Sequence, residues 1–147
     1  LGASWEESLV AISDKIYQRQ LRLLIVAETE ALARQLDDLL WRQPHNGFLP
    51  HGLCGGRHDR RQPILIGTSV NDSNGATHLI SAVTQPIDAP DRFDMLLDFV
   101  HPNDAEQMQQ SRQRYRYYRQ QGYVMEYWRQ DDSGAWGLKE STHQVKE

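Results

Sequence analysis

A block of arginines and tyrosines near the end of the sequence has the residue types best suited to binding chemistry. Four arginines and three tyrosines fall within residues 112–119 of a chain whose formal net charge is -4. A guanidinium binds carboxylate or phosphate oxygens through two parallel, charge-assisted hydrogen bonds, and a tyrosine ring beside it supplies apolar surface. The block therefore indicates a site for a negatively charged partner with an apolar end.

The block is predicted to form the last turns of a helix that begins near Pro102 and is stopped by Gly122. At about 100° per residue, Arg114 and Tyr117 point away from the side that carries the other arginines. The members of that side are Met108, Arg112, Tyr115, Arg116 and Arg119. Three interpretations stay open: a carboxylate-bearing ligand, single-stranded nucleic acid, or a core border where arginine stems cover apolar surface.

A tryptophan and a phenylalanine form a second candidate site. Trp41 lies about 180° from Leu32 around its predicted helix, and Phe48 follows in a loop. Tryptophan is enriched among the residues that dominate binding energy at protein interfaces, so one interpretation is a docking anchor. The other is that the loop folds back and buries both rings.

The same loop holds four side chains that can bind a metal, namely His45, His51, Cys54 and His58. Their spacing lacks the paired ligands of common zinc sites. A small metal-dependent hydrolase that uses this loop is therefore kept only as an alternative. Asp37 and Asp38 are predicted to lie on a solvated helix face rather than in a metal site, because helix neighbours point apart.

The apolar periodicity predicts an α/β fold with a parallel sheet, because helices alternate with buried strands. Ser4 and Glu7 form a capping box, so a helix begins near Trp5, and Thr29 caps the next helix. Strands are expected at residues 21–27, 64–66, 78–83, 93–100 and 123–128, and a long loop at residues 43–62.

Length and composition exclude several classes of protein. A chain of 147 residues is expected to form one domain, and no apolar run approaches the ~20 residues that span a bilayer. We see no signal peptide, and one cysteine fits a reducing cytoplasm. The acidic balance argues against a dedicated nucleic-acid binder, and both common phosphate-binding glycine motifs are missing from the sequence. Because the chain starts at Leu1 rather than methionine, we expect further residues upstream.

Four segments, in this order, resemble the chi subunit of bacterial DNA polymerase III, a part of the clamp-loader complex. They are Leu-Asp-Asp-Leu-Leu-Trp at 36–41 with Phe-Leu-Pro-His at 48–51, Pro-Ile-Leu-Ile-Gly at 63–67, Asp-Phe-Val at 98–100, and the arginine block through Tyr123. The chain departs from the family at Gln20, where a glycine is common, and at its start, where the family has a short first strand.

The resemblance implies a three-layer, nucleotide-binding-like α/β fold, with a mostly parallel central sheet flanked by helices and no nucleotide site. It implies a single domain over residues 1–130, and we expect residues 131–147 to be a partly flexible C-terminal extension. It also implies a cytoplasmic adaptor in DNA replication that is not catalytic, needs no cofactor, has no membrane partner and meets DNA only indirectly.

The resemblance implies two protein partners. One is the psi subunit, which connects chi to the clamp loader through the surface that matches Trp41 and Phe48, with Pro50 and His51 beside them. In some relatives an iron–sulfur helicase shares that surface. The other partner is the acidic C-terminal tail of single-stranded-DNA-binding protein, whose site matches Val100 and four block residues. Those are Arg112, Tyr115, Arg116 and Arg119, and Met108 joins them through its position on the same helix side.

Overall fold

The computed structural model describes residues 5–42, 49–71, 73–88, 92–101, 103–123, 126–130 and 136–141, with side chains as far as Tyr123. These residues form two compact units. The larger unit comprises the described residues of Glu6–Val83 and Ile87–Phe99. The smaller unit comprises those of Leu1–Trp5, Thr84–Pro86 and Val100–Glu147.

The larger unit is built on a five-stranded sheet in which every pairing is parallel. The strands are β1 (Leu23–Ala27), β2 (Gly52–Leu53), β3 (Ile64–Gly67), β4 (His78–Ala82) and β5 (Met95–Asp98), in the order β2-β3-β1-β4-β5. The central strand β1 is buried along its whole length, as its uninterrupted apolar run predicts. The predicted α/β fold with a parallel sheet is therefore confirmed.

Helices α1 (Trp5–Gln18) and α2 (Glu30–Trp41) precede and follow β1. Thr29 caps α2 as predicted, because its hydroxyl accepts a hydrogen bond from the Leu32 N–H at 3.1 Å. The apolar stripe of α2 is buried at Ala33, Leu36 and Leu40. Trp41, the exposed residue of the second candidate site, lies at the end of this helix and outside the buried stripe.

Two predicted boundaries in the larger unit are wrong. The expected loop at 43–62 contains β2 and a 3-10 turn at Asp59–Arg61, and the Cys54 N–H donates to the Ile66 carbonyl at 2.6 Å. Two residues of strand carry no periodicity, so the pattern could not reveal them. The strand expected at 93–100 is confined to Met95–Asp98.

The core on one face of this sheet is formed by inward side chains of three neighbouring strands and of two loops. Leu24, Leu65 and Leu79 are fully buried there, and Ile87 and Phe93 pack with them. Burial of this apolar surface is the main source of stability for the unit.

The smaller unit contains helix α3 (Ala105–Gln120) and an antiparallel hairpin of β6 (Glu126–Gln130) and β7 (Trp136–Ser141). Helix α3 begins after Asp104 rather than at Pro102, which lies outside the described residues. Its predicted end at Gly122 is confirmed: the glycine has φ 91°, and the Tyr123 N–H donates to the Tyr118 carbonyl at 3.2 Å. Strand β7 lies in the segment expected to be a C-terminal extension. In the described residues, no helix has the length and apolar character that a bilayer crossing requires.

Candidate functional site

The start of α3 is fixed by an N-cap in which the Asp104 carboxylate accepts two hydrogen bonds from Gln107. The Asp104 carboxylate accepts a hydrogen bond from the Gln107 backbone N–H at 3.0 Å and another from the Gln107 side-chain amide at 3.0 Å. The backbone hydrogen bond and then the amide lower the pKa of Asp104 below its ordinary value. The cap sets where the helix begins, and therefore which way each later arginine points.

Three arginines of α3 point to solvent in one row. Arg112, Arg116 and Arg119 are exposed and lie at i, i+4 and i+7, so their Cα atoms rise about 6 and about 10 Å along one helix side. Val100, Met108 and Tyr115 are half-buried in the same unit. We call these six residues the α3 surface.

The opposite face of α3 is buried. Arg114 is 5% exposed and Tyr118 is 3% exposed, and the Arg114 Nη1 donates to the Thr84 carbonyl at 3.1 Å. The Tyr118 ring also packs edge-on against the rings of Tyr117 and Tyr123. The prediction that Arg114 points away from the other arginines is confirmed, and it gives Arg114 a structural role that sequence reasoning missed.

The exposed arginines repel one another. Like charges three or four residues apart destabilise a helix by about 0.2–0.5 kcal/mol per pair. Within the described part of the chain, Arg112, Arg116 and Arg119 form no ion pair that would offset this repulsion. A row of unneutralised guanidiniums that lowers helix stability is the charge pattern expected of a site that binds an anion.

In the larger unit, Trp41 lies at the end of α2 and is 56% exposed. Its ring packs against the His51 ring with centroids 4.9 Å apart. Pro50 beside it is half-buried. We call Trp41, Pro50 and His51 the Trp41 surface. Phe48 and His45 lie outside the described residues.

His51 is a buried support for that surface. Its Nδ1 lies 2.7 Å from the Leu49 carbonyl oxygen. Its Nε2 lies 3.1 Å from both the Asp37 carbonyl oxygen and the Asp37 carboxylate. All three neighbours are acceptors, so a proton on either ring nitrogen has a hydrogen-bond partner. The expectation that Asp37 is merely solvated is wrong, because its carboxylate is 22% exposed and paired with His51.

Among the described residues, the possible metal ligands do not come together, and His45 lies outside them. The described residues contain no group of three side chains that could hold a metal ion. Both ring nitrogens of His51 already face oxygen atoms, and His58 is exposed. Burial, followed by the nearby Asp59 charge, raises the pKa of the Cys54 thiol, which disfavours the reactive thiolate. Nothing here favours the hydrolase alternative.

Comparison with known proteins decides the family. The family model for the DNA polymerase III chi subunit, HolC, matches residues 3–126. The chain belongs to this family. It is 34% identical over 124 residues to the DNA polymerase III subunit chi of Escherichia coli, covering 83% of this chain and 84% of that protein. It is 32% identical over 119 residues to the chi subunit of Haemophilus influenzae, covering 80% of this chain and 82% of that protein. A chi subunit is a non-catalytic accessory subunit of the polymerase III holoenzyme in DNA replication.

Proposed function

We propose that this chain is an adaptor that links the clamp loader, through a psi subunit, to the acidic C-terminal tail of single-stranded-DNA-binding protein. The observation that carries the proposal is the row of exposed arginines on α3. These arginines are exposed and unpaired by acids within the described residues, which leaves their paired donors available to carboxylates.

The chemistry of such a tail suits the whole α3 surface. A tail that ends in aspartates, proline and phenylalanine brings several carboxylates and one aromatic side chain. The guanidiniums bind the carboxylates. The phenylalanine makes apolar contact with the half-buried Val100, Met108 and Tyr115. Most of the charged contacts are open to solvent, so binding weakens as salt shortens the screening length to about 8–10 Å.

A fluorescent peptide with this acidic sequence, titrated into the full chain, tests the tail site. Arg112→Ala should weaken binding by about 1.5–3 kcal/mol, the usual loss for a hydrogen bond to a charged group. The matched control is Arg34→Ala, which removes an equally exposed arginine from α2. Equal affinity in wild type and Arg112→Ala, or equal loss in both variants, contradicts the assigned site.

The Trp41 surface is the proposed site for psi, or for an iron–sulfur helicase that uses the same residues. An exposed tryptophan held in place by a buried partner has the character of a binding hot spot, where truncation often costs 2 kcal/mol or more. Trp41→Ala should therefore abolish co-purification with psi while leaving peptide binding intact. Met95→Ala is the control, because Met95 is the next most exposed large apolar residue, at 48%. Retention of psi by Trp41→Ala contradicts this half of the proposal.

A further inference from the structure

A second group of basic side chains lies in the larger unit, on the loop between β2 and β3. Arg57, His58, Arg60 and Arg61 are all exposed there. We call residues 57–61 the basic loop. The proposed adaptor function makes no use of it.

The acid within the basic loop is hydrogen-bonded to the backbone that precedes the loop. The Asp59 carboxylate accepts hydrogen bonds from the Gly55 N–H at 2.9 Å and the Gly56 N–H at 3.0 Å. Gly55 has φ 102°, a conformation that only glycine adopts readily, and this lets the two N–H groups converge on the carboxylate. No arginine of the loop forms an ion pair within the described residues, so the outward face of the loop is positive.

The Arg22 side chain contacts the end of this loop and also lines an open cleft. Its Nη1 donates to the carbonyl oxygens of Arg60 at 3.1 Å, Gln62 at 3.3 Å and Asn74 at 3.3 Å. The same side chain lines a cleft of about 360 Å³ in the larger unit. The cleft is lined by Tyr17, Gln18, Gln20, Leu21, Arg22 and Pro63.

The cleft and the loop together have the two components of a single-strand site. Proteins that bind single strands without sequence preference combine an aromatic side chain, on which a base stacks, with cations that follow the backbone. Tyr17 supplies the ring, Leu21 and Pro63 supply apolar wall, and the loop arginines supply the cations. An acidic peptide would use the cations but has a planar group only where an aromatic residue stands, whereas every nucleotide carries a base beside its phosphate.

We propose that single-stranded nucleic acid binds here, with a base against Tyr17 in the cleft and neighbouring phosphates on Arg57, Arg60 and Arg61. Because the chain as a whole is acidic, the contact is weak and strongly dependent on salt. The chain would then bind nucleic acid directly, in addition to the protein partners proposed above.

Fluorescence anisotropy with a labelled oligothymidine of about 20 nucleotides, at about 50 mM salt, tests the proposal on the full chain. The variant Arg57→Ser/Arg60→Ser/Arg61→Ser should lose about tenfold or more in affinity. Its slope of log K against log salt should fall by about 2, since each lost phosphate contact removes about 0.7 for single strands. The matched control Arg112→Ser/Arg116→Ser/Arg119→Ser changes the net charge equally and should keep the wild-type slope.

The variant Tyr17→Leu tests base stacking in the cleft separately from the charge of the loop arginines. It keeps apolar bulk in the cleft and should weaken oligonucleotide binding about tenfold without changing the salt slope. Unchanged affinity in Tyr17→Leu contradicts the placement of a base in the cleft. Wild-type chain that does not bind the oligonucleotide, or equal losses in the two triple variants, overturns the proposal altogether.

The acidic tail peptide, titrated into the same variants, distinguishes this proposal from the adaptor function. The loop variant should bind the peptide as wild type does, while the α3 variant should not. If the loop variant loses the peptide and keeps the oligonucleotide, the basic loop binds acidic protein instead. If the α3 variant still binds the peptide, the proposed tail site is wrong. The nucleic-acid proposal is then decided by the oligonucleotide titration alone.

Discussion

On α3 the exposed arginines project from a regular helix into solvent, whereas the exposed Trp41 ring packs on a buried histidine that three oxygen atoms surround. In the first surface the residues proposed to bind contribute little to folding. In the second, the residue proposed to bind the partner, Trp41, and the residue that supports it, His51, are different, so each can be tested separately. Binding and stability should therefore separate cleanly on α3, and only in part on the Trp41 surface.

The largest effect is expected from His51→Ala. Removing the ring takes a buried hydrogen-bond partner from the Leu49 carbonyl and from the Asp37 oxygens, and this should lower the free energy of unfolding by about 2–3 kcal/mol. Trp41 also loses its packing partner, so psi binding should fall although Trp41 is intact. Urea unfolding measures the first effect and co-purification the second.

His58→Ala is the control for this change, because His58 is an exposed histidine of the same loop region. It should leave stability and psi binding unchanged. If His51→Ala unfolds no more easily than His58→Ala, the two surfaces do not differ in the way described.

The next largest effect is expected from a change on the buried face of α3. Arg114→Ala removes a buried guanidinium and leaves the Thr84 carbonyl without that donor, and a loss of about 1–3 kcal/mol is expected. Gln113→Ala, at an exposed neighbouring position, is the control. Tail-peptide affinity, measured where Arg114→Ala is folded, should stay close to wild type. A stable Arg114→Ala protein with lost affinity would place Arg114 among the binding residues instead.

Local patterns predicted the parts of these surfaces that depend on neighbouring residues. The Thr29 cap, the glycine stop at Gly122 and the separation of Arg114 from the exposed row all follow from spacing along one helix. The pairing of His51 with Asp37 spans 14 residues, and the contacts of Arg22 span 38 to 52. Such contacts depend on how strands pair, and a single sequence carries no periodicity that reports them.

A third, smaller effect compares the helix ends of the two units. Helices α1 and α3 are both followed, two residues beyond their last helical residue, by a residue in the left-handed region: Gly122 at φ 91° after α3 and Gln20 at φ 61° after α1. The α1 end has the same hydrogen bonds, from the Gln20 N–H to the Tyr17 carbonyl at 2.8 Å and from the Leu21 N–H to the Ile16 carbonyl at 3.2 Å.

Glutamine is strained in this conformation and glycine is not, so Gln20→Gly should raise the free energy of unfolding by about 1 kcal/mol. The reciprocal change Gly122→Ala should lower it by a similar amount. Thermal unfolding of both variants checks the pair, and a destabilised Gln20→Gly would mean that the glutamine side chain makes a contact worth more than the strain.

The smallest effect bears most directly on the α3 surface. Arg116→Ala removes repulsion with Arg112 and Arg119, so the free energy of unfolding should rise by about 0.2–0.5 kcal/mol per pair relieved. The gain should shrink in high salt, because it comes from exposed charges, while affinity for the acidic peptide falls in the same variant. An arginine whose removal stabilises the helix but weakens peptide binding is explained by binding and not by folding.

If Arg116→Ala instead destabilises the chain by about 1 kcal/mol or more, the aliphatic stem of Arg116 covers apolar surface at the border of the core. The exposed row would then be a solvated edge, and the contrast with the Trp41 surface would disappear.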